Sequence, residues 1–214
     1  MNAPTVSDTV RALERWQGSG EGFVVPEEIP ERKARKDGRR TVATFYGVPV
    51  ESDRVVFVID HSGSMGTRRA EGGTEFDKAV AEVHRVAAQL ESGAKLNVIL
   101  FESAVTRWKK GLVPVTRGSR AALKRYLGKK GERGGTNLFD ALEMALLTKD
   151  VDSIYLLSDG SPNEGKFVRS EDILRAVRDI NRIRRITIHC IALGYDPGLL
   201  RDLATQSGGT YTRK

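Results

Sequence analysis

The chain has 214 residues, 39% hydrophobic and 29% charged, with 35 basic against 28 acidic side chains for a net charge of +7. That length accommodates one substantial domain plus an appendage. The longest unbroken apolar run, Val55 to Ile59, is far shorter than the roughly 20 residues of a membrane span, and the single cysteine, Cys190, excludes an intrachain disulfide framework and a cysteine-cluster metal site.

The opening MNAPTVSDTV has neither a basic start nor an apolar stretch, so no secretory leader is expected. Residues 1–50 read as an N-terminal extension. They hold a short helix pattern over Asp8 to Trp16, a Gly-rich break at Gly18 to Gly22, the Pro-flanked FVVPEEIP and the charge run ERKARKDGRR. Trp16, Phe23 and Val24 are too few to form a core. Phe45, Tyr46 and Val48 are expected to dock on the domain that follows, with Gly18 to Gly22 and Glu31 to Arg40 mobile. Residues 51–214 form that domain, in which short apolar runs alternate with amphipathic segments, the signature of an α/β fold.

Strands are predicted at Val55 to Asp60, Lys95 to Glu102, Val105 to Trp108, Ser153 to Asp159, Ile186 to Leu193 and Thr210 to Thr212. VVFVI and IYLL are apolar at successive positions, as in central parallel strands covered on two faces. Between them, Thr74 caps a helix in which Phe76, Val80, Val83, Ala87 and Leu90 recur at spacings of four and three. Ser170 opens another with Ile173, Val177 and Ile180 inward. Leu138 to Leu147 and Gly198 to Gln206 give two more, and residues 117–127 a weaker fifth. Only Ser103 and Ala104 separate the second and third strands, so these pair as an antiparallel hairpin with the third strand at the sheet edge. The other strands are joined through helices and are expected to be parallel.

In an open α/β sheet, ligands collect where loops leave the carboxyl ends of the strands. Those loops are polar here: the first strand runs into DHSGS, the fourth into LSDG, and Gly134, Gly135 and Thr136 open a helix. Together they deliver two carboxylates and three hydroxyls, all oxygen donors that suit a hard cation such as Mg2+. In Asp-x-Ser-x-Ser, alternate residues of a tight loop can converge on one ion while His61 faces away. The scattered His61, His84 and His189 read as packing or surface residues, and Cys190 as a small buried hydrophobe. No Gly-Lys-Ser or Gly-Lys-Thr phosphate cradle is present.

With DHSGS, GGTN and LSDG all in place, the chain resembles the von Willebrand factor type A (vWA) family over about residues 52–212. The resemblance implies a Rossmann-like sheet of six strands, five parallel and one antiparallel at the edge, with helices on both faces. It also implies a complete metal-ion-dependent adhesion site (MIDAS) at Asp60, Ser62, Ser64, Thr136 and Asp159. In that site Ser62, Ser64 and often Thr136 hold Mg2+ directly, and the two aspartates act partly through water; Mn2+ or Ca2+ could replace it. A protein partner then supplies an Asp or Glu carboxylate. The approach TFYGVPVESDRVVFVID resembles the lead-in to this domain in large bacterial proteins with upstream HEAT-like repeats. A cytoplasmic location is expected if the chain is complete.

The function expected on these grounds is a monomeric, non-enzymatic, metal-dependent protein-binding module. Arg68, Arg69, Lys129, Lys130 and Arg133 are expected to form a cationic rim that speeds encounter with acidic ligands. That rim also keeps an RNA-binding alternative open. A Mg2+-assisted phosphoester hydrolase is the enzymatic rival, weakened by the absence of an assignable general base.

Overall fold

The computed structural model describes residues 43–68, 70, 72–128, 134–194 and 198–214. The described residues all fall within one compact unit, residues 42–214. The expected mobility of Gly18 to Gly22 and Glu31 to Arg40 lies outside them.

A small antiparallel hairpin comes first, β1 (Thr44–Phe45) and β2 (Val48–Pro49). The main sheet starts with β3 (Arg54–Asp60), followed by helix α1 (Glu75–Gln89), β4 (Lys95–Phe101), and the short β5 (Val105–Arg107) and β6 (Val113–Pro114). Next come α2 (Arg117–Leu127), α3 (Leu138–Leu146), β7 (Ser153–Ser158), α4 (Ser170–Arg184), β8 (Thr187–Ala192), α5 (Leu199–Ser207) and β9 (Tyr211–Arg213). The strand order is β5-β4-β3-β7-β8-β9, with β6 also paired to β4. The fold is the Rossmann-like α/β architecture expected, with β3, β4, β7, β8 and β9 parallel.

The antiparallel edge differs in one respect from a single sixth strand. It is split into β5 and β6, both paired to β4, which makes the sheet seven-stranded. The buried amide of Asn97 causes the break: its Nδ2 donates to the carbonyls of Lys109 (2.8 Å) and Gly111 (3.0 Å), while its Oδ1 accepts from Lys109 N. A side chain thereby takes over hydrogen bonds that a continuous ladder would make.

Alternation along the strands sorts the core into two layers. Val55, Phe57 and Ile59 of β3, with Leu96, Val98 and Leu100 of β4, pack beneath α1, α2 and the β1–β2 hairpin. Helices α3 and α5 cover the opposite face, and α4 packs beside both. Phe45, Tyr46 and Val48 are buried, and the Phe45 ring lies 5.0 Å from that of Phe57 and 6.2 Å from that of Tyr155. Their expected docking on the sheet domain is what the core contains.

Helix ends follow local chemistry. Thr74 forms a reciprocal capping box with Asp77, and Thr116 forms one with Ser119. Ser170 is the first helical residue of α4 rather than its cap. Arg169 occupies the cap position without a side-chain bond, and Glu171 and Asp172 in the first turn complement the helix dipole.

Candidate metal centre

The sheet order reverses direction at β3, which lies between β4 and β7, so the crevice beyond the carboxyl ends of β3 and β7 is a topological switch point. β3 carries Asp60 to this edge, fully buried. The chain then folds into a 3-10 turn, Gly63–Gly66, pinned by buried Met65 and by Met65 N donating to Ser62 O at 3.1 Å. Ser62 N donates to Asp60 Oδ1 at 2.8 Å, so the first aspartate organises its own loop. The Ser62 and Ser64 hydroxyls end 3.1 Å apart. From β7, Ser158 Oγ donates to Asp60 Oδ2 at 2.5 Å, and the next residue, Asp159, accepts from Ser64 Oγ at 2.8 Å.

The third loop is fixed by its backbone. Gly63 N donates to Gly134 O at 3.1 Å, and Gly135 N to Ser103 Oγ at 2.8 Å. Thr136, also buried, exchanges bonds with Asn163: Thr136 N donates to Asn163 Oδ1 at 2.8 Å and Asn163 N to Thr136 O at 3.1 Å. At both glycines neighbouring side chains come close, so that a larger residue would have to displace them. A Cβ at Gly134 would lie 2.1 Å from Ser103 Oγ, and one at Gly135 would lie 2.5 Å from Asn163 Oδ1.

The structure thus joins Asp60, Ser62, Ser64 and Asp159 through hydrogen bonds and ties the Gly134–Thr136 loop against them. Arg68 is exposed on the first loop, with an isolated bridge to Thr74. Arg69, Lys129, Lys130 and Arg133, the other expected rim residues, lie outside the described residues. His61 is buried with its ring centroid 4.1 Å from that of Phe76, packed into the core as expected. His189 stacks on Tyr155 at 4.7 Å, and Cys190 is buried. Sequence reasoning assigned no role to Ser158 or Asn163. Ser158 could have been suspected from its place beside Asp159 at a strand end, but Asn163 lies in an irregular loop with no periodic signal.

The electrostatics of the site favour a cation. Burial pushes the Asp60 carboxyl up to about 6 from 3.8, against the opposing bonds from Ser158 and Ser62 and with help from the nearby Asp159 charge. Burial also raises Asp159, against its bond from Ser64, and the Glu75 charge adds to that rise. Among the described residues, no lysine or arginine forms a salt bridge with either aspartate. Nor is any group of three or more His, Cys, Asp or Glu side chains among them placed to hold a metal ion. The donor set is therefore two carboxylates with hydroxyls, which fits Mg2+, Mn2+ or Ca2+ and would serve a softer metal poorly.

Fold and site together define an α/β domain of the vWA class. The model of the von Willebrand factor type A domain family matches residues 53–213, and the chain belongs to that family. It is 29% identical over 181 residues to human inter-alpha-trypsin inhibitor heavy chain H4, covering 78% of this chain and 19% of that protein. It is 32% identical over 145 residues to the bovine heavy chain H3, covering 62% of this chain and 16% of that protein. The chain therefore spans less than a fifth of the length of these relatives. Among solved structures, a von Willebrand factor type A protein from Catenulispora acidiphila superimposes with a TM-score of 0.64 at 24% identity, over 75% of this chain and 38% of that one. Manganese-loaded Plasmodium vivax TRAP superimposes with a TM-score of 0.52 at 16% identity, over 75% of this chain and 67% of that one. Among the described residues, no helix is long and apolar enough to cross a membrane.

Proposed function

We propose that this domain is a metal-dependent protein-binding module, in which Asp60, Ser62, Ser64, Thr136 and Asp159 hold a divalent cation that captures an Asp or Glu carboxylate from a protein partner. The supporting observation is a buried carboxylate, Asp60, and a half-buried one, Asp159, both raised by desolvation, joined through the loop of Ser62 and Ser64 and without a salt bridge among the described residues. Membership of a family of protein-interaction modules supports the same reading, as does a manganese-loaded fold neighbour. Mg2+ is the proposed ion, with Mn2+ or Ca2+ as substitutes.

A bound divalent ion would supply an electrophilic docking point for an external carboxylate, because neutral hydroxyls leave much of its charge uncompensated. The protein's residues set that point up. Asp60 is held by Ser158 Oγ and Ser62 N, which fixes both of its oxygens. Ser64 links the loop after β3 to Asp159 after β7. The Gly63–Gly134 backbone bond brings the Thr136 loop alongside.

This reading makes the domain a monomeric binder and not an enzyme. Within the bonded cluster, the titratable groups are the proposed ligands themselves, which leaves no separate general base for phosphoester hydrolysis. We also propose that the N-terminal extension, residues 1–50, joins the domain to a larger bacterial assembly with HEAT-like repeats, as the resemblance of the lead-in TFYGVPVESDRVVFVID suggests.

Titration calorimetry with MgCl2 tests the site. The wild-type chain should bind one Mg2+, and Asp60→Ala should show no binding while keeping its circular dichroism spectrum. Equal Mg2+ affinity in a folded Asp60→Ala chain would sink the assignment.

A further inference from the structure

From Ser103 to Gly128 the chain carries seven lysines and arginines and not one aspartate or glutamate, although 28 of the 214 residues are acidic. This stretch is β5, β6, their connection and α2, which together form one border of the molecule. The Thr106 hydroxyl lies 3.2 Å from the Tyr126 hydroxyl, joining β5 to the last turn of α2. Arg107, Lys109, Lys110, Arg117, Lys124 and Arg125 are all exposed, and none forms a salt bridge among the described residues. The seventh, Arg120, is half-buried and donates to Leu90 O.

Protection against edge-to-edge pairing accounts for a few charges on an edge strand. It does not account for this border, because β5 and β6 are already interrupted by the Asn97-held bulge, and three of the exposed cations stand on the helix. The bulge presents Lys109 and Lys110 outward by binding their segment's carbonyls from below. Unpaired like charges at this density repel one another, a cost that an anionic partner removes.

The border is continuous with the candidate metal centre. β5 leaves β4 through Ser103, whose hydroxyl accepts from Gly135 N, and Asn137 N donates to Glu102 O. At this junction Glu102 has its carboxylate engaged by Ser103 N and Ala104 N, and Asp140 accepts from Asn137 Nδ2, while Glu164 stands beside Gly135. An extended segment with one carboxylate at the metal centre could therefore lay its following residues along the β5–β6 border.

We infer that the β5–β6 edge and the outer face of α2 form a docking surface for an acidic protein segment, the same segment that supplies the carboxylate to the metal centre. This rests on the function proposed above for that centre. The aromatic side chains favour a protein over single-stranded nucleic acid. Trp108 and Tyr126 are partly buried against the core, which limits the ring surface they offer for base stacking.

The test uses the full chain and a fluorescein-labelled 20-residue oligoglutamate, followed by anisotropy and stopped-flow at physiological salt with Mg2+. The variants are Lys109→Glu/Lys110→Glu/Lys124→Glu, its neutral counterpart with three glutamines, and Asp60→Ala. The triple reversal should weaken binding at least about tenfold, mainly through slower association, and the glutamine variant by a smaller factor. Affinity unchanged within twofold in both triple variants would overturn the proposal and leave the charges as edge protection only. If the triple variants lose binding but Asp60→Ala and chelator do not, the docking surface stands and the carboxylate-capture reading fails. If a 20-nucleotide oligouridylate binds the wild-type chain more tightly than oligoglutamate and loses affinity in the same variants, the acidic-protein assignment is overturned in favour of nucleic acid.

Discussion

Asp60 is costly to the metal-free fold, and the proposed metal centre is built around it. Its carboxyl is pushed up to about 6, so between about pH 4 and 6 the folded chain holds a proton that the unfolded chain has released. Stability of the metal-free protein therefore falls as pH rises through that window, and this contribution is least favourable above pH 6. Asn in place of Asp60 can still accept from Ser62 N and can donate to Ser158 Oγ, without the buried charge. In chelator, Asp60→Asn should gain on the wild type by up to about 3 kcal/mol between pH 4 and pH 7, seen as a growing difference in chemical-denaturation midpoints. The same variant should lose the rise in melting temperature that MgCl2 gives the wild type. A wild-type chain that is the more stable at pH 7 in chelator would contradict this account of Asp60. Ser158 acts through Asp60 as a positioning residue. Ser158→Ala should move the pH midpoint of Mg2+ binding upward, because one of the bonds that stabilise the carboxylate is gone. An unchanged midpoint would mean that Ser158 merely fills space.

At the scale of elements, the broken edge depends on a single buried amide. Asn97 accepts from Val98 N and Lys109 N and donates to two carbonyls. Asn97→Ala leaves those backbone groups without their partner, a loss of roughly 2–4 kcal/mol, and should raise hydrogen exchange over residues 105–114 while sparing β3 and β7. Uniform protection in the variant would show that the bulge holds itself. The same element bears on the acid-free border, since loosening the bulge should also weaken oligoglutamate binding without touching the metal centre.

For the whole molecule, the β1–β2 hairpin is the part of the core that precedes the main sheet in the chain. Phe45, fully buried against Phe57 and Tyr155, and the Tyr155 hydroxyl donating to Pro49 O at 2.8 Å make these few residues part of the sheet's cover. Phe45→Ala should cost about 3–5 kcal/mol. A chain starting at residue 51 should melt well below one starting at Val42, and equal melting temperatures would show the hairpin to be dispensable.

Much of this architecture is legible in the order of residues, because β3 and β7 are continuous apolar runs and α1 has a cap and a regular stripe. Those signals are local, set by strand alternation, helix period and capping chemistry. The candidate site residues are legible for a related reason: each stands immediately beyond a strand or at a helix start, where an α/β sheet gathers its loops. What the sequence could not show depends on residues far apart in the chain. Ser158 reaches Asp60 across 98 positions, Asn163 braces Thr136 from 27 positions away, and Asn97 holds the carbonyls of Lys109 and Gly111 from 12 and 14 positions away, between β5 and a β6 that no sequence pattern announced. The cations of β5, the β5–β6 connection and α2 share one acid-free stretch of sequence, and the folding of α2 beside the edge, with Thr106 bonded to Tyr126, makes that stretch one surface. Composition and periodicity thus determined the class of fold and the chemistry of its loops. The tertiary structure alone decided the burial that raises Asp60, the partners that hold it and the surfaces left charged, because desolvation and charge proximity exist only once distant segments pack.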